Sequence, residues 1–385
     1  MATGILHLAD MHFGAAPASL PPAVAATLHR ERLAALTAAL ATAVERHAAA
    51  VLVAGDLLEA RLAVREHAAS LAAAFARCGL PVVIVPGNHD PAGPGSYYRT
   101  YPWPDNVTVV AEERWTAVEL PDLTVHALGW TGGAVTQPPL PGPRLPAVAT
   151  RPQVLLLHAD LDPPGGRSPY RPVSGASIAA TGADYAALGH IHARLLAGTA
   201  AYPGSLTPLG FGEEGRHGAL WVRLGAGAPV VEPLPVARRR FRTVEVTCGE
   251  QADAADAARA ALPPGSEDDL IRLRLLGQSP AAGIDEAALR ELAWHVEVLD
   301  ETEPALDLDA LIADHPSGLL ARFVAAMHAR IAAEAQAAQA RAEVAAAAPV
   351  VQDLDGEPAP PAPSVSELAL RYGVQALTGR RLQPW

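Results

Sequence analysis

Lysine is absent from this chain. All 29 basic residues are arginine, set against 41 acidic ones, and the formal charge is −12 at pH 7. So acidic a balance excludes a protein that coats nucleic acid by bulk charge. It leaves room for a site that gathers divalent cations, since such a site needs carboxylates and its ions add charge the count omits. One basic run stands out, Arg238, Arg239, Arg240 and Arg242. Forked guanidinium groups suit phosphate, so local phosphate binding is one expectation for it; genome-wide bias toward arginine is the other.

Cysteine is scarce too. Cys78 and Cys248 lie far apart in no paired motif, which excludes a disulfide framework and a thiolate zinc site. Aromatic residues make up only 5% of a chain that is 50% hydrophobic. Its apolar residues are mainly Ala, Val and Leu, so closely packed helix-on-sheet layers are expected. No apolar run reaches the length of a membrane span. The chain opens directly on Gly4-Ile-Leu-His-Leu-Ala-Asp10, without a basic leader or cleavage site. A soluble, cytoplasmic protein is the expectation. At 385 residues it is long for one domain and should comprise a large domain with smaller additions.

What is present is alternation. Short apolar runs at Ile5–Ala9, Val51–Ala54, Pro81–Pro86, Leu123–Trp130, Val154–Leu157 and Tyr185–Leu188 read as buried strands. Helical periodicity separates the first three, over Leu28–Arg46 and Leu62–Arg77. Such alternation predicts an α/β sheet covered by helices. The large domain is expected over 1–237 and a small α+β unit over 238–305. A helical, alanine-rich segment should follow over 306–348, then a Pro/Ala linker over 349–363 and a terminal helix over 364–385 with Ser364 and Glu367 at capping-box spacing.

Polar motifs follow the strands directly: Asp10-Met-His12, Gly55-Asp56, Gly87-Asn88-His89-Asp90, His158 and Gly189-His190-Ile191-His192. In an open α/β sheet the carboxyl ends of strands face one crevice, where residues distant in sequence converge. A lone histidine at a strand end is usually structural. Five such motifs in order, all of carboxylate, imidazole or amide, point instead to divalent metals, and to manganese, iron or zinc over calcium or magnesium. Seven ligand candidates exceed the needs of one tetrahedral ion. On extended chain Asp10 and His12 would project to one side and hold one ion, while His190 and His192 would divide between two. Asp56 is the natural bridge. Two ions roughly 3.5–4 Å apart clamp a phosphate and activate water, and His89, beside Asn88, is placed to assist the leaving oxygen.

These motifs resemble the calcineurin-like metallophosphoesterase superfamily, and within it the SbcD/YhaO branch of DNA-repair exonucleases. The branch resemblance rests on Ile5–His12, on Asp184–His192, and on Tyr202-Pro-Gly-Ser205 followed by Phe211-Gly-Glu-Glu-Gly215. It covers about residues 4–222. It implies a metallophosphoesterase-type layered α/β/β/α sandwich core, a small α+β cap and a helical C-terminal tail. It also implies that Asp10, His12, Asp56 and His192 bind one ion, that Asp56, Asn88, His158 and His190 bind the other, and that His89 aids leaving-group departure. Two manganese ions, DNA as substrate, an SMC-like ATPase partner of the SbcC kind and a homodimer are further implications. Relatives often continue the second motif as GDxFD; here Glu59 stands at the fifth position and reaches one methylene further. Leu206-Thr-Pro-Leu209 replaces a segment where relatives often carry a basic or polar residue.

A DNA nuclease is therefore the leading expectation. A phosphoesterase for cyclic nucleotides or small nucleotide diesters is the alternative, and a catalytically idle scaffold for an ATPase is the third. The Asp-Arg-Gly that follows the second motif in protein phosphatases is missing here.

Overall fold

The computed structural model describes residues 2–15, 20–139, 145, 150–249, 253–280, 283–303, 312–313, 316–345 and 365–378. The chain divides into two compact units, Met1–Glu303 and Pro304–Trp385. Among the described residues no helix is long and apolar enough to cross a membrane.

Two six-stranded sheets form the heart of the first unit. In one, β1 (Thr3–Leu8), β2 (Ala50–Ala54), β3 (Val82–Val85) and β4 (Val107–Val109) run parallel. In the other, β6 (Thr124–Leu128), β7 (Gln153–His158), β10 (Tyr185–Gly189) and β12 (Ala200–Tyr202) run parallel, and β5 (Thr116–Glu119) and β11 (Leu195–Ala197) close its edges antiparallel. On the first sheet's far edge, β13 (Gly218–Leu224) returns antiparallel to β1 and pairs with β14 (Val230–Pro235). The short β8 (Asp160–Leu161) and β9 (Pro172–Val173) pair with each other beyond β7.

The period of two along each strand explains the layering. Leu6, Leu8, Val51, Val53 and Ile84 face a core shared with α1 (Pro22–Glu45) and α2 (Arg65–Cys78). Their neighbours Ile5, Leu52, Val83 and Val85 face inward and meet Val125, Val154, Leu156 and Ala187 of the second sheet. The second sheet's outer residues, Leu155, Leu157 and Leu188, pack with Ile178 of α4 (Gly175–Thr181). The result is the α/β/β/α sandwich. Helix α1 starts at Pro22, ahead of the expected Leu28, because proline is pre-organised for a helix's first turn. A one-turn helix, α3 (Tyr97–Thr100), follows the third motif.

Where strands of the two sheets cross, space is short. A Cβ at Gly189 would fall on the Ala54 carbonyl oxygen. Gly189→Ala should therefore destabilise by about 2–3 kcal/mol as an overpacked core does. Urea unfolding reads this directly, and an unchanged midpoint would show that the strands part to admit a methyl.

A parallel three-stranded sheet, β15 (Phe241–Cys248), β16 (Leu270–Gly277) and β17 (His295–Asp300), completes the first unit with α5 (Ala254–Ala261) and α6 (Glu286–Arg290) on it. The arginine run at its start is engaged within the fold. Arg238 and Arg239 pair with Glu31 of α1 and with Asp268, and Arg239 lies over the Trp294 ring. Arg240 and Arg242 both reach Asp269. This run ties the small sheet to α1.

In the second unit α7 (Leu319–Ala345) and α8 (Val365–Thr378) pack on each other, with Gly373 against the Phe323 ring and the Ser366 hydroxyl on Glu334. The expected linker at 349–363 and the cap residue Ser364 lie outside the described residues.

Candidate metal centre

Each polar motif leaves the carboxyl end of a parallel strand on one edge of the sandwich. Asp10 and His12 follow β1, Asp56 follows β2, Asn88 and His89 follow β3, His158 ends β7, and His190 and His192 follow β10. Backbone bonds align the first two motifs: the Asp10 and His12 amides donate to the Gly55 and Asp56 carbonyls at 3.1 and 2.9 Å. Across the sheets, the His190 amide donates to Asp10 Oδ1 at 3.0 Å.

These turns are strained where the chemistry lies. Asp10, His12, Asp56 and His190 have φ of 49°, 45°, 49° and 115°. Such conformations typically cost of order 1–3 kcal/mol each for a residue with a side chain and cluster at functional sites. They also correct the expectation that Asp10 and His12 share a side by lying on extended chain. The strand stops at Leu8, and two left-handed residues aim the side chains. Gly55, at φ 91°, is obligatory for a second reason: a Cβ there would strike the His158 imidazole.

The side chains converge. His12 Nε2 and His192 Nε2 face each other at 3.1 Å. Asp56 Oδ2 lies 3.7 Å from His12 Nε2 and 3.4 Å from His158 Nε2, between the two sets. His158 Nε2 is 2.9 Å from Asn88 Oδ1. Ligand atoms lie within 4.8 Å of one another in three groups: Asp10, His12 and His192; Asp10, Asp56 and His158; and His12, Glu59 and His89. His190 belongs to none of these, although its ring centroid is 5.3 Å from that of His158 and 4.7 Å from that of Tyr170.

Electrostatics make this a place for cations. Burial, with Asp56 alongside, holds the Asp10 carboxyl well above its usual range, and burial lifts Asp56 to about 6. Burial and the neighbouring histidines drive His12 down to about 2, and burial takes His158 to about 3 and His190 to about 4. Neutral imidazole is the ligating form. Adjacent buried carboxylates among lone-pair donors, with no lysine or arginine between them, fit two divalent ions.

A second layer orients the donors. His158 Nδ1 donates to the Ala54 carbonyl at 2.9 Å, leaving Nε2 to ligate. His89 Nδ1 lies 2.9 Å from Glu59 Oε2, so the longer side chain at that position still reaches. Two carboxylates had no sequence-based role. Asp90, fully engaged, accepts from the Gly87 and Leu58 amides at 2.7 and 2.8 Å and from the Tyr98 hydroxyl, locking the third motif against the second. Glu213 sits 2.6 Å from His192 Nδ1 and also accepts from the Ser205 hydroxyl and the Leu209 amide. Burial opposes charge on His192, but Glu213, Asp10 and Asp56 outweigh it and the net shift is upward. Glu213→Gln should weaken divalent-metal affinity about 10- to 100-fold, as read by manganese titration calorimetry. Unchanged affinity would make that contact incidental.

The family model for calcineurin-like phosphoesterases matches residues 3–194, a span that holds every one of these candidate ligands and His89. The chain belongs to the calcineurin-like phosphoesterase family. A DNA double-strand break repair protein Mre11 of Aeropyrum pernix is 30% identical over 269 residues, 64% of each chain. An uncharacterized metallophosphoesterase, YhaO of Bacillus subtilis, is 27% identical over 237 residues, 58% of this chain and 57% of that one. The chain thus spans less than two thirds of the length of these curated relatives. Both are consistent with the SbcD/Mre11-type branch of the calcineurin-like phosphoesterases.

Proposed function

We propose that this phosphoesterase is a DNA nuclease of the SbcD/Mre11 type, cleaving phosphodiesters by two-metal activation of water and acting in DNA repair with an SMC-like ATPase of the SbcC kind. The observation that carries the reading is the convergence of Asp10, His12, Asp56, His158 and His192 around Asp56, with His89 at their edge. The likeness to an Mre11 repair protein supports DNA as substrate.

Asp10, His12, Asp56 and His192 would hold one ion, and Asp56, Asn88, His158 and His190 the other. Bound manganese ions supply Lewis acidity that neutralises phosphate charge and makes hydroxide accessible near neutral pH. This chain's residues do the rest. Asp56 would be shared between the two ions and Asn88 would contribute its amide oxygen, while Glu213 and the Ala54 carbonyl fix two imidazoles in their ligating tautomers. His89 is about half exposed at the site's edge, its side chain 48% accessible. Glu59 occupies its Nδ1, so Nε2 remains to hand a proton to the leaving oxygen. Helices α7 and α8 are the proposed docking segment for the ATPase, and a homodimer is proposed for the assembled nuclease.

The test uses purified protein with manganese on linear duplex DNA, single-stranded DNA, bis(p-nitrophenyl) phosphate and cyclic nucleotides. Chelator-sensitive DNA cleavage is expected. Diester or cyclic-nucleotide hydrolysis without DNA cleavage would replace this reading with a small-nucleotide phosphoesterase, and inertness throughout with a scaffold.

A further inference from the structure

Behind the His89 backbone lies a cavity of about 300 Å³, at the small end of ligand pockets. Two chain segments build it, and both come directly from the metal motifs. Leu58 and Ala60 follow Asp56, while Asp90, Pro91, Ser96 and Tyr97 follow His89. The Ala60 amide donates to the His89 carbonyl at 3.1 Å, so the cavity wall and the proposed proton donor are one continuous structure.

We propose that this cavity is a nucleobase pocket, receiving the base of the nucleoside on the leaving side of the scissile phosphate; the placement rests on the nuclease reading above.

The lining chemistry selects the occupant. Among the described residues no cation lines it, and the one carboxylate that does, Asp90, is filled by the Gly87 and Leu58 amides and the Tyr98 hydroxyl. An anion is thereby excluded. Proline, glycine, leucine and tyrosine surfaces favour a flat, neutral, largely apolar body. Tyr98 in turn stacks against Trp103, with ring centroids 6.3 Å apart and planes 22° from parallel, which stiffens this wall.

One polar group is waiting. The Ser96 hydroxyl oxygen is enclosed and has no hydrogen-bond partner among the described residues. Ser96 precedes α3, where a serine ordinarily caps the following amides, yet its side chain makes no such bond. A buried hydroxyl left unsatisfied is unfavourable, and once the side chain turns about its Cα–Cβ bond toward the cavity that Ser96 lines, a base edge offers both donors and acceptors to satisfy it. Beside the lining, Arg61 follows Ala60, is exposed, and has no ion pair or hydrogen bond among the described residues. It is free to take the next phosphate along the strand, which the lining itself cannot hold.

The experiment fills the cavity in two independent ways, Ser96→Leu and Ala60→Leu, in the full chain. Saturation-transfer NMR on deoxyadenosine, with the protein freed of metal by chelator, asks whether the base is held without any phosphate or ion. Transfer to the base protons is expected in the wild type and a loss of at least about fivefold in both variants, in line with the strength of base stacking. No transfer in the wild type, or equal transfer in all three proteins, overturns the proposal. With manganese, the ratio of kcat/KM for a dinucleotide to that for the same dinucleotide made abasic on its leaving side, which departs as an equally basic alkoxide, should fall about tenfold or more in each variant. An unchanged ratio also overturns it. The two readings fail separately: a wild type that turns over the chromogenic diester but no DNA sinks the nuclease assignment, while the NMR arm still decides the pocket.

Discussion

Asp56→Asn protein should lose phosphodiester hydrolysis by about 10³-fold or more, bind manganese poorly, and yet melt above the wild type when both are metal-free. Asp56 is 1% exposed and stands between the His12 and His158 imidazoles while its other oxygen accepts the His89 amide at 2.9 Å. An asparagine keeps that acceptor and removes the charge. Without the charge the proposed bridge between ions is gone. The stability effect runs the other way. Burial raises the Asp56 pKa to about 6, and burial with Asp56 alongside raises Asp10 and takes Asp90 to about 7.

A carboxyl whose folded pKa lies above its unfolded value destabilises at pH above the folded value. That penalty disappears as pH falls below about 4, where both states are protonated. The metal-free wild type should therefore gain stability relative to Asp56→Asn between about pH 7 and 4. At neutral pH the deficit should be of order 2 kcal/mol. Manganese must reverse the ranking, because an ion binding only the folded wild type at 100 times its Kd adds about 2.7 kcal/mol. Differential scanning calorimetry with and without manganese reads all three statements. A wild type that is the more stable protein without metal at pH 7 would deny that these carboxylates are held together against their own repulsion.

That repulsion marks the boundary between what the sequence disclosed and what it withheld. Parallel strands buried on both faces read as unbroken apolar runs, and ligands stood directly after them, so the sandwich and the convergence at one sheet edge were legible. The backbone that aims the ligands was not. Left-handed φ at Asp10, His12 and Asp56 leaves only a weak signature in residue type, Asp and His being enriched there without being diagnostic, and period-two reasoning gave Asp10 and His12 an extended chain instead. Glu213 lay in a motif used for the branch resemblance, but its hold on His192 crosses 21 residues and exists only once β12 has turned the chain back. Asp90 stood inside a metal motif and proved to be its lock. The pairing of the arginine run was hidden for the same reason: Glu31 is 208 residues from Arg239, and no local spacing reveals that pair.

His89→Ala should slow cleavage of DNA or of an alkyl phosphodiester about 10²- to 10⁴-fold, the usual contribution of a positioned acid, while slowing p-nitrophenyl diesters far less. The reasoning lies in the leaving oxygen. A sugar alkoxide is strongly basic and must be protonated as it departs, whereas p-nitrophenolate leaves as a weakly basic anion and needs no donor. Manganese affinity should hold, since the proposed ligands are other residues and the Asp56 oxygen accepts from the His89 backbone amide, which alanine retains. Glu59→Gln should reproduce part of the effect: the amide still reaches Nδ1 from the same distance, but it holds the ring's orientation through a neutral hydrogen bond, weaker than the one a carboxylate makes. Single-turnover rates on a matched pair of thymidine diesters, one leaving as nitrophenolate and one as an alkoxide, separate the roles. Equal losses on both substrates would mean that His89 binds the phosphate and donates no proton. Loss of manganese binding would instead place His89, through the group it forms with His12 and Glu59, among the ligands themselves.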